Sequence, residues 1–114
     1  MNQLSFNNAI RTADHDLDPQ PVASDQSIDG GPRTGTTRLG TFSNIKIGLW
    51  EMTPGVMSDV EVDEVFVVLS GSATVEFADG TAAMQLRPGD VARLEAGAAT
   101  VWTVTETLRK VYLS

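Results

Sequence analysis

Glu64-Val65-Phe66-Val67-Val68-Leu69-Ser70-Gly71 is a short run of β-branched and aromatic residues closed by a turn pair. It is too short for a typical helix and reads as a strand buried on both faces. Upstream, Ile45, Ile47 and Leu49 alternate with Lys46, Gly48 and Trp50, and Thr53-Pro54-Gly55 ends that second strand. Downstream, Ala73, Val75 and Phe77 alternate with Thr74 and Glu76 and run into Asp79-Gly80, a strong hairpin signal, with Ala82, Met84 and Leu86 as the return strand. Arg87-Pro88-Gly89-Asp90 turns the chain, Val91 to Leu94 is a brief strand, Ala96-Gly97-Ala98 turns it again, and Thr100 to Val104 and Leu108 to Leu113 are the last two strands. No segment after Ile45 has a 3.6-residue period. The spacing therefore predicts an all-β body, a sandwich or small barrel.

The chain has 114 residues, enough for one core, though a partner subunit would add burial that so small a domain lacks. A homodimer is expected on that ground. No apolar run approaches the ~20 residues of a membrane span. The formal charge of −7 opposes binding to nucleic acid or anionic lipid. The absence of cysteine excludes disulfides, thiolate metal sites and a cysteine nucleophile. Met1-Asn2-Gln3-Leu4 has neither the cationic nor the apolar region of a secretory signal, so the cytoplasm is the expected location.

Residues 1–44 are polar and aperiodic and carry Pro19, Pro21 and Pro32 with the turn cluster Asp29-Gly30-Gly31-Pro32. They read as an arm packing on the body or on a partner subunit, and residues 45–114 as the body itself. The only histidine, His15, lies in that arm.

Thr53-Pro54-Gly55, Glu64, Leu69-Ser70-Gly71, Pro88-Gly89-Asp90 and Gly97 together resemble the two sequence units of the cupin superfamily. More narrowly, Gly48 to Gly55, Asp63-Glu64, Trp102 and Arg109-Lys110-Val111-Tyr112 resemble the small cupins grouped with ureidoglycine aminohydrolase-like and ethanolamine-utilisation cupin domains. The resemblance implies a double-stranded β-helix, the cupin jelly roll, here with an extended N-terminal arm. It also exposes a departure. Most catalytic cupins hold a divalent metal with three histidines and the glutamate. Here the first two histidines fall on Ser58 and Val60, or on Met57 and Asp59, and the third on Thr100. No metal and no cofactor are therefore expected. An oxygen-only cation set of Asp59, Asp63, Glu64 and Thr100 is the remaining alternative.

The resemblance points Glu64 into the barrel lumen, where a carboxylate needs a cationic partner, and Lys110 is the candidate. Trp102 shares a strand face with Thr100, and Lys110 shares one with Tyr112. Glu64, Lys110 and Tyr112 are the candidate acid/base residues; Thr100, Trp102, Phe66 and Met84 are the candidate ligand-binding wall. Trp50 reads as core or dimer contact, and Asp59, Glu61 and Asp63 as a solvated acidic loop. The expected function is binding of a small organic molecule, an amine or ureido-type metabolite. One alternative is a metal-independent isomerase- or hydrolase-like enzyme using Glu64 with Tyr112 or Lys110. Another is a structural or regulatory dimer whose lumen is filled by its own side chains. A sealed lumen favours the last, and an open cavity with Glu64 facing Lys110 favours the others.

Overall fold

From Ile45 onward the two-residue alternation forms strands, and two of them run through positions that the sequence marks as breaks. The computed structural model describes residues 3–114. In chain order these hold a three-residue 3₁₀ turn at Thr12–Asp14, then β1 (Gln20–Pro21), β2 (Ser27–Asp29), β3 (Arg33–Phe42), β4 (Ile45–Met52), β5 (Gly55–Val60), β6 (Glu64–Phe77), β7 (Met84–Leu86), β8 (Val91–Leu94) and β9 (Ala99–Leu113). Every strand pair is antiparallel. The protein is an all-β jelly roll.

Ser70-Gly71 is not a turn. Gly71 sits at φ +86°, and the register between β6 and β9 shifts around Ser70 and Ser72, so β6 bends and continues where two strands are expected. A side chain at Gly71 would run into the Thr107 carbonyl of β9. Glycine at this bulge lets the two backbones approach, and the bend lets both strands serve both halves of the barrel. Facing Gly71, β9 likewise continues between Val104 and Leu108. The expectation of full burial in Val65–Leu69 is also corrected: Phe66 and Val68 are buried, whereas Val65 is exposed. One face of β6 makes the core and the other is partly covered.

β9 organises the sheet. Its first half pairs with β5, from Val60↔Ala99 to Gly55↔Val104, and its second half with β4, from Met52↔Leu108 to Ile47↔Leu113. Its other edge pairs with β6 from Phe77↔Thr100 to Val65↔Leu113, and β6 in turn carries β7 and β8. Met52, Met57, Phe66, Val68, Val75, Leu86, Leu94, Trp102, Val104 and Leu108 pack together inside.

The expected start of the barrel at residue 45 falls inside a hairpin. β3 pairs with β4 from Thr34↔Met52 to Phe42↔Ile45, and Ser43-Asn44, both at positive φ, form the two-residue turn. The sheet therefore takes in Arg33–Phe42. The segment before it lies on the same chain: the Leu4 N–H donates to the Leu39 carbonyl at 2.8 Å, and Arg109 Nη1 donates to the carbonyls of Thr12 at 3.0 Å and His15 at 2.8 Å. Among the described residues no helix is long and apolar enough to cross a membrane.

Candidate functional site

Alternation along β9 sends Thr100, Trp102, Val104, Leu108 and Lys110 inward. Lys110 is 4% exposed and, among the described residues, is the buried side chain that carries a charge. Its register fixes its neighbours, because it lies opposite Trp50 on β4 and Val68 on β6. The ammonium stands 4.5 Å from the Trp50 ring centroid, 4.3 Å from Phe66 and 4.8 Å from Trp102. Glu64, at the start of β6, accepts a hydrogen bond from Lys110 Nζ at 2.6 Å. Three aromatic faces and a carboxylate hold this charge in place as an internal cation.

The acidic connection between β5 and β6 is not simply solvated. Glu61 Oε2 accepts from Thr100 Oγ1 at 2.5 Å and from Trp102 Nε1 at 2.9 Å, which anchors the indole. Asp59 follows Met57 on the inward face of β5, and its Oδ1 accepts from the Val60 N–H at 2.8 Å and from Gln26 Nε2 at 3.4 Å. Burial, and then the neighbouring Glu61, push the Asp59 carboxyl above its ordinary value, and the Val60 amide and then Lys110 partly offset them. Only Asp63 behaves as a turn residue, accepting from the Ala96 N–H at 2.9 Å.

These groups border a cavity of about 300 Å³, lined by Trp50, Trp102, Glu64, Lys110 and Tyr112 together with Asp59, Glu61 and Val62. Thr36 of β3 completes the wall. Tyr112 lies across Gly48, where any β-carbon would overlap its ring. Of the expected residues, the structure brings Glu64, Lys110, Tyr112 and Trp102 to this cavity. Phe66 is fully buried beneath the ammonium, and Thr100 is buried behind Glu61. Met84 packs against the core from β7 and does not reach the cavity. Sequence reasoning missed Glu61 and Thr36 as lining residues, placed Asp59 here only as a cation ligand, and favoured core or dimer contact for Trp50 over a ligand wall. For Asp59 the signal was its two-residue spacing from Met57; for Trp50 it was the register opposite Lys110. A second hollow, of about 600 Å³, is lined by Asp25, Gln26, Ser58, Glu76, Phe77 and Val101 and contains none of these charged or indole groups apart from a shared edge at Asp59.

Residues 39–112 match the family model described as the EutQ-like cupin domain. The chain belongs to that family. Solved structures with the same fold include a protein of unknown function from Pseudomonas syringae pv. tomato, at 26% identity and a TM-score of 0.72 over 87% of this chain and 44% of that one. The EutQ protein of Clostridium difficile gives 17% identity and a TM-score of 0.60, with 72% of this chain and 61% of that one covered. A putative ethanolamine utilization protein from Salmonella typhimurium gives 18% and 0.60, with 87% and 96% covered. This cupin therefore spans less than half of the Pseudomonas protein and about three-fifths of the Clostridium one. No curated protein matches it.

The lumen of this cupin does not fit the divalent metal of its superfamily. Ser58 and Val60, or Met57 and Asp59, stand with Thr100 where imidazoles are needed, and Glu64 is engaged by an ammonium that would repel a second cation. The oxygen-only alternative is not assembled either, since Asp63 is turned to the Ala96 amide, and among the described residues no three His, Cys, Asp or Glu side chains are grouped to hold a metal ion.

Proposed function

We propose that this cupin binds a small neutral polar molecule in its lumen, one that carries a carbonyl together with N–H donors, as a ureido or amide compound does. The observation behind this reading is the buried Lys110 ammonium facing a cavity rimmed by Asp59, Glu61 and Glu64. A carbonyl oxygen meets the ammonium, and N–H groups meet the carboxylate oxygens opposite. An anion is repelled by three carboxylates, and the aromatic cage that would hold an alkylammonium is already filled by Lys110. Of the two ligand types expected from sequence, the filled cage thus favours the ureido over the amine. The volume, room for about ten water-sized groups, suits a small metabolite. An open cavity beside the Glu64–Lys110 pair also weighs against a lumen filled by its own side chains.

Saturation-transfer NMR with N-methylurea, propionamide, propylammonium and acetate tests the reading. The two neutral probes are expected to bind and the two ions not to. Binding of either ion in preference to the neutral pair overturns it. A homodimer is part of the same proposal, supported by the exposed apolar side chains Leu4, Phe6, Phe42 and Ile45 at one end of the sheet. Light scattering on the eluting species distinguishes dimer from monomer.

A further inference from the structure

We infer that the lumen also exchanges the α-proton of a small hydroxy-ketone or hydroxy-aldehyde, with Asp59 as the base and the Lys110 ammonium as the group that holds the carbonyl oxygen. This rests on the proposed reading, in which a ligand carbonyl faces Lys110. The argument begins with what Lys110 is unable to be. Its ammonium is tied to Glu64 and lies under three aromatic faces, so it acts here as a fixed positive charge and not as a nucleophile. Set at the wall of a cavity and screened from water by Trp50 and Trp102, such a charge stabilises an oxyanion without reorganising.

The base follows from how the three carboxylates are employed. Glu64 is committed to Lys110, and Glu61 to Thr100 and Trp102. Among the described residues each of the three keeps one oxygen without a hydrogen bond, but Asp59 alone is tied neither to the ammonium nor to the indole and hydroxyl: its Oδ1 accepts only from its neighbour's amide and, at long range, from Gln26. Burial and Glu61 also make it a stronger base than an ordinary aspartate. In the forward step the C–H electron pair moves into the bond between the α-carbon and the carbonyl carbon, the carbonyl π pair moves onto oxygen beside Lys110, and the proton passes to Asp59. Reversal returns a proton, or a deuteron acquired from solvent. Nothing is oxidised or reduced, and no co-reactant is consumed.

Hydroxyacetone in D₂O, followed by proton NMR, is the test. Loss of the α-proton signals is expected to be faster with the protein than with buffer alone. Asp59→Asn, which keeps the Oδ1 acceptor, and the paired replacement Lys110→Met with Glu64→Gln, which removes both buried charges together, are expected to slow it by about 100-fold while remaining folded by circular dichroism. Saturation transfer with N-methylurea on the same protein samples separates the two claims. Binding without exchange, or exchange unchanged in Asp59→Asn, overturns this inference and leaves the binding proposal standing. Neither binding nor exchange overturns both. The chain has two lysines, Lys46 and Lys110. A borohydride-trapped adduct of hydroxyacetone on Lys110 would show a free amine and overturn the assigned role.

Discussion

Replacing Lys110 by methionine keeps most of the side chain's hydrocarbon volume and deletes one charge. Lys110 and Glu64 have side-chain exposures of 5% and 12%, so the lone Glu64 left behind has little access to water. Breaking such a pair from one side costs about 3–5 kcal/mol. Loss of the cation–π contacts, about 0.5–1 kcal/mol per ring, acts in the same direction. The expected loss is about 4 kcal/mol, a large share of the ~5–15 kcal/mol that holds a domain together. Lys110→Met with Glu64→Gln removes both charges and should return to within about 1–2 kcal/mol of the wild type, so the two substitutions are far from additive. Urea unfolding followed by tryptophan fluorescence suits the measurement, because both tryptophans, Trp50 and Trp102, lie over the ammonium. A loss below 1 kcal/mol in Lys110→Met, or a double variant no more stable than that single one, refutes the reasoning that the cage holds a buried ion pair.

Asp59 has a carboxyl pKa raised above 3.8 in the folded state, so the folded protein binds the proton more tightly than the unfolded chain, and its contribution to stability is lost as pH rises through the folded value. Asp59→Asn should accordingly be more stable than wild type at pH 7, with the difference vanishing below pH 3.8 in thermal melts across pH; a less stable variant at pH 7 would reverse the sign. Gly48→Ala forces a β-carbon into the Tyr112 ring and should cost about 1–3 kcal/mol in urea unfolding and weaken binding of neutral probes, whereas unchanged stability would mean that Tyr112 has another place to go. Arg109→Met removes donors from Glu51 at 2.8 Å and from the Thr12 and His15 carbonyls, so limited trypsin digestion should cut after Arg11 faster than in wild type. An unchanged cleavage rate would show that Arg109 does not hold the segment.

The fold was legible where side chains alternate and where turns are marked by glycine and proline. Ile45 to Met52 and Val91 to Leu94 declare themselves because one face meets the core. Arg33–Phe42 did not, since of its ten residues only Leu39 is buried and threonine and arginine supply most of the rest. Its partner is chosen by the Ser43-Asn44 turn, a weaker signal than Asp79-Gly80. Ser70-Gly71 misled for a different reason: glycine at positive φ serves a bulge as readily as a turn, and only the Thr107 backbone across the sheet decides between them. At the site, the Glu64–Lys110 proximity could be foreseen from the need of a buried carboxylate for a cation. Glu61 could not, because its role depends on Trp102 and Thr100, some forty residues away, turning their donors toward the loop.

The parity of β9 ties the cavity to the rest of the molecule. Because successive side chains point to opposite faces, Lys110 enters the lumen and Arg109 leaves it, so adjacent cations neutralise Glu64 inside and Glu51 outside. A one-residue slip of β9 would expose the lysine and bury the arginine against carboxylates placed for neither. The bulges beside Gly71 prevent such a slip by fixing the offset between β6 and β9, and pairing with β4 fixes Trp50 opposite Lys110. The aromatic cage, the ion pair and the anchoring of Thr12 and His15 are thus consequences of one register. A substitution at Gly71, which touches none of these groups, should therefore disturb all three together.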